Sequence, residues 1–169
     1  MLVVDQPLYA IAKKIQWTFP EKFGEDIFVV LLRGLHTEMA LWSTTGDMMQ
    51  GAGWVEALVE AGVTTSEAAA TALLKSSNVM RTCYVHQITV TVLDCLMKRA
   101  HTPSGSDLSI DAWIAGDARE NPTILFWMLI QKYEILIFMF IRSHSERKFA
   151  LMLDTLRYLV LSILCHGSP

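Results

Sequence analysis

Residues 1–32 read MLVVDQPLYAIAKKIQWTFPEKFGEDIFVVLL, and this stretch decides the fold. Leu2 to Val4 is short, apolar and partly β-branched, like the end of a buried strand. Asp5 is placed to cap a helix, and Pro7 suits its first turn because its φ is fixed and it lacks an N–H. Leu8, Ile11, Ala12 and Ile15 recur at helical spacing and predict an apolar stripe. FPEKFGED (19–26) reads as a turn. IFVVLL (27–32) is apolar on both faces, which predicts a fully buried strand. Strand, helix and strand in so short a span form a minimal parallel unit with a right-handed crossover, ended by Gly34. The apolar lead-in ahead of Asp5 reads as a strand continuing a larger sheet, so the chain is expected to be an interior piece of a longer protein.

Downstream the pattern turns helical. Helices are expected over 35–49, from Trp54 to Glu60, after Thr65 or Ser66, over 78–100, after Ser109, from Pro122 to about Arg142, and over 146–164. The ITVTV at 88–92 favours a strand by propensity. Met80, Tyr84, Ile88, Val92, Leu93, Leu96 and Met97 nevertheless fall on one helical face, and the length of the segment decides for helix. In the last helix Phe149, Leu153, Leu156 and Val160 predict a face that packs antiparallel on the preceding helix. HTPSGSD (101–107) is read as a loop. The expected fold class is therefore mostly α with a small β-α-β unit at the N-terminus. The β-α-β unit occupies 1–34 and the helical region 35–169, together one compact unit.

Composition narrows the function. Hydrophobic residues make up 52% of the 169 and charged residues 18%, against about 25% charged in an average soluble domain. So apolar a chain has a large core, an apolar surface for a partner, or a membrane segment. A net charge of −3 argues against a stand-alone nucleic-acid binder. Cys83, Cys95 and Cys165 form no CxxC pair. Cys83 and Cys95 lie about 18 Å apart on one helix, too far for a disulfide. Reduced thiols and no secretory signal point to an intracellular setting, nucleus or cytoplasm.

TILFWMLIQKYEILIFMFI (123–141) is long enough to span a bilayer. Lys132 and Glu134 near its centre cost about 2.5–3.5 kcal/mol each, while each Leu, Ile or Phe returns only about 0.3–0.6 kcal/mol. The sum favours a buried core helix, with a single-pass membrane protein as the alternative. The two charges lie about 200° apart around the helix, so one is expected at the surface and the other against a partner or an edge.

Few residues carry a chemical signal. Asp5 follows an apolar strand, and functional groups gather at the C-terminal ends of parallel strands. Its carboxylate could hold Mg²⁺, but from position alone plain N-capping is the favoured reading. His36 and Glu38 follow the second strand at the same sheet edge and are weighed as metal or substrate groups against an ordinary polar helix start. His86 lies in an apolar helix and is read as a core histidine with a satisfied hydrogen bond. Arg142, His144, Arg147 and Lys148 form a basic run read as a solvated turn between helices. No Gly-rich phosphate loop, HExxH or GxSxG occurs.

Four blocks, VVDQPLYAIAKKIQW, FGEDIFVVLLRGLHTEMALW, GDMMQGAGWVEALVEAGV and RTCYVHQITV, together resemble an uncharacterised family of transposon-derived proteins. The resemblance runs from residue 1 to about 160. It departs from the family pattern at Arg33, where the family has the first Gly of a Gly-Gly-Leu-His block. It departs again at Cys83, Tyr84 and Val85, ahead of His86. Family members are longer at both ends, so the chain looks like a truncated copy.

The family resembles DDE-type transposases with a ribonuclease-H-like core and a helical insertion. The chain would then be a fragment of that α/β fold followed by a helical region. The resemblance implies Asp5 as a metal-binding catalytic carboxylate and keeps His36 as a second candidate. Mg²⁺ is the implied cofactor only in that case, and none is expected otherwise. Two-metal strand transfer holds its ions about 3.5–4 Å apart between several carboxylates. The chain offers one, so no catalysis of its own is expected. DNA would be a partner only of the parent protein. Self-association through exposed apolar surface is expected, a membrane partner is not, and a helical interaction module is the competing reading.

Overall fold

A computed structural model of the chain describes residues 2–101, 109–116 and 120–166. The described residues are mostly helical, 77%, with a two-stranded parallel sheet at the N-terminus. It divides into two compact units, Met1–Leu41 and Trp42–Pro169.

In the first unit, β1 (Leu2–Val4) pairs in parallel with β2 (Val30–Leu32), with Leu2 opposite Val30 and Val4 opposite Leu32. Between them lie α1 (Gln6–Thr18) and the single-turn α2 (Pro20–Phe23), so the expected turn at 19–26 contains a short helix. The second strand is shorter than the expected 27–32. The amides of Ile27 and Phe28 donate to the Gly24 carbonyl, and the Phe28 carbonyl accepts from the Gln16 side chain at 2.6 Å. Those groups are spent on a turn and a side chain, not on a ladder, and Ile27, Phe28 and Val29 are exposed.

α1 also turns a different side inward than its apolar stripe predicts. Leu8, Ile11 and Ile15 are exposed, while Tyr9, Ala12, Lys13 and Gln16 occupy the less accessible side. The Gln16 amide explains this, because it supplies a donor to the carbonyl that β2's lead-in leaves unpaired.

α3 (Gly34–Met49) starts in the first unit and runs into the second. There α4 (Trp54–Glu60), α5 (Glu67–Leu74), α6 (Val79–His101), α7 (Ile110–Ala115), α8 (Pro122–Ser145) and α9 (Phe149–His166) follow. Short polar side chains start these helices by accepting orphan amides: Ser66 from Ala69, Asn78 from Arg81, Ser109 from Ala112, and Asn121 from Thr123 and Ile124. Gly53, at φ +83°, makes the turn into α4. At Gly46 a Cβ would lie 2.0 Å from the Leu74 carbonyl oxygen, so only glycine lets α3 approach the end of α5. Met49, Trp54, Leu58, Ala70, Leu73, Leu74, Val85 and Ile130 form the core of this unit. Of the loop expected at 101–107, His101 ends α6 and the rest lies outside the described residues.

Two apolar faces read from the sequence lie partly outside, with Ile88, Leu93 and Met97 of α6 and Leu156 of α9 half-buried. On α6, Met80, Tyr84, Val92 and Leu96 are exposed, and the inward side carries Thr82, Val85, His86 and Thr89. On α9, Phe149, Leu153 and Val160 are exposed, and Thr155 and Leu159 point inward. The threonines can be buried because each hydroxyl is satisfied nearby. Thr89 donates to the Val85 carbonyl at 3.0 Å and Thr155 to that of Leu151 at 2.7 Å. α8 and α9 pack against each other across a tight connection in which Arg147 has φ +56°. There Glu146 is held by Arg142 at 2.7 Å and Lys148 at 2.6 Å, and these partners pull its carboxyl down to about 2.

Candidate functional site

The parallel register brings the C-terminal ends of β1 and β2 side by side. The Arg33 amide donates to the Val4 carbonyl at 2.8 Å, so Asp5 and Arg33 leave the sheet at one edge. Asp5 is exposed and its carboxylate accepts the Leu8 amide at 3.3 Å as the cap of α1. His36 is half-buried in the first turn of α3, with Glu38 two residues on. Among the described residues no group of three or more His, Cys, Asp or Glu side chains is arranged to hold a metal ion. Asp5, His36 and Glu38 share an edge of the fold, but they do not make a metal centre there.

The second unit contains a different arrangement. His86 of α6 and Glu134 of α8 are both fully buried, with Nδ1 and Oε1 2.5 Å apart. The imidazole lies between two indoles, stacked at 4.4 Å on Trp42 of α3 and at 5.3 Å on Trp54 of α4. Burial disfavours charge on both groups. It pulls His86 down to about 3 and pushes Glu134 up to about 9. At neutral pH the Glu134 carboxyl therefore keeps its proton and donates it to Nδ1 of a neutral imidazole. The contact is a neutral hydrogen bond between helices, not an ion pair. His86 Nε2 and Glu134 Oε2 find no partner among the described residues. A pair sealed between indoles and without solvent access is poorly placed to serve a substrate, so its role is to fix how α3, α4, α6 and α8 meet.

The apolar helix 123–141 thus sends its two charges to different places. Lys132 is exposed, and Glu134 is turned inward against His86. Sequence reasoning recognised His86 as a hydrogen-bonded core residue but did not find its partner. The signal available was Glu134 itself, a carboxylate among apolar neighbours.

Above this pair the surface opens. Trp54 donates its indole N–H to the Thr89 hydroxyl at 2.9 Å, and the two residues form part of a groove of about 550 Å³. Its walls are α4, α6 and the start of α8, with Leu58, Ile88, Val92, Leu96 and Trp127 among the lining residues. Thr89 both accepts from Trp54 and donates to Val85, so its hydroxyl is already engaged. A second, more polar depression of about 250 Å³, lined by Met80, Arg81, Tyr84 and Val85, shares Val63 with the first. The two form one apolar tract along α6 from Met80 to Ala100, about 30 Å at 1.5 Å per residue. Met80 is 81% exposed and Tyr84 62%.

Comparison of the chain with known protein families, with curated proteins and with solved structures finds no match.

Proposed function

We propose that this chain is a helical docking module, not a catalyst in its own right, and that it binds an amphipathic helix along the outward face of α6. The observation that carries the reading is the continuous apolar tract. Its shape is elongated, its lining is mostly hydrocarbon and indole, and the Thr89 hydroxyl is already engaged, Arg81 and Tyr84 standing at one end. A compact polar substrate finds few groups to bind in the larger groove. A helix laid into such a groove contributes apolar side chains at helical spacing and keeps its polar face in water. Isolated apolar side chains on a surface are ordinary, whereas a connected tract of this extent is a mark of an interaction site.

The test uses the full chain, the apolar dye bis-ANS and a synthetic Leu/Lys amphipathic helical peptide. The dye is expected to bind saturably and to be displaced by the peptide. Both are expected to weaken at least about tenfold, or about 1.4 kcal/mol, in the double variant Val92→Glu/Leu96→Glu, with far-UV circular dichroism unchanged. Dye binding that the peptide does not displace would make the tract a small-molecule site and overturn the helix reading.

A second reading rests on Asp5, which follows β1 of a parallel strand-helix-strand unit directly. On that reading the first unit is a piece of a ribonuclease-H-like core from a transposon-derived protein, and Asp5 is one of its carboxylates. Metal-dependent phosphoryl transfer needs more than one such group, and His36 and Glu38 do not complete a metal site with it. The isolated chain is therefore expected not to cleave DNA with Mg²⁺. Cleavage that copurifies with the chain and disappears in Asp5→Ala would reverse this expectation and restore the enzymatic reading.

A further inference from the structure

We infer that His86 is a positioning residue of the docking groove: from inside the core it sets the plane of the Trp54 ring that walls the groove, so that docking is linked to the proton held between His86 and Glu134. The inference rests on the docking reading above and adds the regulation of that site.

Trp54 belongs to two environments. Its indole lines the groove, and its N–H donates to the Thr89 hydroxyl at 2.9 Å. One hydrogen bond at the edge of a ring leaves the ring free to tilt about that edge. The tilt is fixed by the face, which lies on the imidazole of His86 with ring centres 5.3 Å apart and planes at 23°. The imidazole is fixed in its turn. Trp42 stacks on it at 4.4 Å and 17°, and Glu134 meets Nδ1. Thr89 is anchored on the Val85 carbonyl, so His86 and Thr89 of one helix hold the face and the edge of Trp54. Each step from Glu134 to the groove wall is a direct contact.

The same path carries the charge state of the pair. Glu134 meets His86 from α6, and beyond the imidazole α3 and α4 bring the uncharged indoles of Trp42 and Trp54. On α8 itself Tyr133 is buried and Lys132 exposed, and on α6 Cys83, one turn before His86, is half-buried. α9 packs on α8 with Thr155 and Leu159 buried, and neither titrates. Burial pushes Glu134 up to about 9, so it keeps its proton at neutral pH. Once that proton leaves for solvent, Oε1 has nothing to donate to Nδ1. The imidazole then turns, or moves its own proton from Nε2 to Nδ1, and either change alters the ring on which Trp54 rests. Docking is expected to weaken as pH rises toward 9, and by reciprocity a docked helix holds the proton on Glu134 to higher pH.

The experiment measures the affinity of the Leu/Lys helical peptide for the full chain from pH 7 to about 9.5, over the range in which far-UV circular dichroism is constant. The wild type is expected to lose about threefold in affinity across it, because a group that titrates near 9 is then mostly ionised. Glu134→Gln, which offers Nδ1 an N–H and does not titrate, is expected to bind throughout as the wild type does at pH 7. A second measurement needs no variant. The alkaline change in tryptophan fluorescence of the wild type, from the indoles stacked on His86, is expected to move to higher pH when the peptide is saturating. An affinity that is the same at both ends of the range, a parallel fall in Glu134→Gln, or a fluorescence midpoint indifferent to the peptide would each overturn the inference and leave the docking reading standing. A chain that does not bind the peptide at pH 7 would remove the docking reading and this inference with it.

Discussion

His86 and Glu134 hold one proton between Nδ1 and Oε1 in a space closed by the Trp42 and Trp54 rings. The consequence for stability follows from the directions of the two shifts. His86 is depressed from 6.5 to about 3, so its contribution is present above pH 6.5 and is lost as pH falls toward 3. Glu134 is raised from 4.5 to about 9, so its contribution is present below pH 4.5 and is lost as pH rises toward 9. Between pH 4.5 and 6.5 the two slopes oppose each other. Above that window only Glu134 acts, with a loss of at most about 1.4 kcal/mol per pH unit. Glu134→Gln offers an amide N–H to Nδ1 and does not titrate. It is expected to remove the alkaline loss and keep the acid one. Denaturant midpoints between pH 6 and 9 check this, in steps of about one unit, the scale on which each protonation acts. An unchanged alkaline slope in Glu134→Gln would show that the loss arises elsewhere. A buried pair with two unpartnered atoms stabilises less than it specifies, because only one arrangement of α6 and α8 makes its hydrogen bond.

At the scale of the element, what sequence could and could not tell separates cleanly. Helix positions were legible because caps and breakers act locally. Ser66 and Ser109 mark boundaries through their own hydrogen bonds, and Pro122 through its place in the first turn of α8. The parallel strand-helix-strand start was legible for the same reason, from two short apolar runs around a capped helix. Which face each helix buries was not. In a chain that is 52% hydrophobic, α1, α6 and α9 each carry more than one side that looks apolar. Periodicity finds a stripe but cannot choose between stripes, and the choice is made by a neighbour far away in sequence. On α6 the inward side was also disguised, because Thr82, Thr89 and His86 read as polar until their partners are known. Thr82 donates to the Leu73 carbonyl at 3.3 Å, Thr89 bonds with both Val85 and Trp54, and His86 meets Glu134, forty-eight positions on. The apolar residues thereby left outside are the ones that make the docking tract, so the misassigned face and the candidate site are the same surface. Asp5 and His36 illustrate the opposite limit. Strand-end position was readable from sequence, but whether nearby carboxylates converge depends on side-chain placement that spacing does not encode.

For the whole molecule the open alternative is the membrane, since α8 is long and apolar enough to cross one by length and composition. One side of it is turned to protein, and 28% of its most apolar stretch is buried. Ile130, Tyr133, Glu134, Ile137, Phe140 and Ser143 form one stripe at helical spacing, and α8 packs on α6 and α9. Glu134 is uncharged inside that stripe, so it no longer counts heavily against insertion. Lys132 does, because it lies exposed on the other side near the middle of the helix, where a charge costs about 2.5–3.5 kcal/mol. Lifting α8 into a bilayer would also break the hydrogen bond from Glu134 to His86 and leave Nδ1 of the imidazole without its donor. The full chain expressed without detergent is therefore expected in the supernatant after high-speed centrifugation. It should stay in the supernatant when Lys132 is replaced by Leu, because the packing of α8 on α6 and α9 adds to that charge in keeping the helix in place. Recovery of the wild type only in a membrane pellet that resists alkaline carbonate would favour the spanning helix. A shift of Lys132→Leu alone into that pellet would show that the lysine, not the packing of α8 on α6 and α9, is what keeps the helix out.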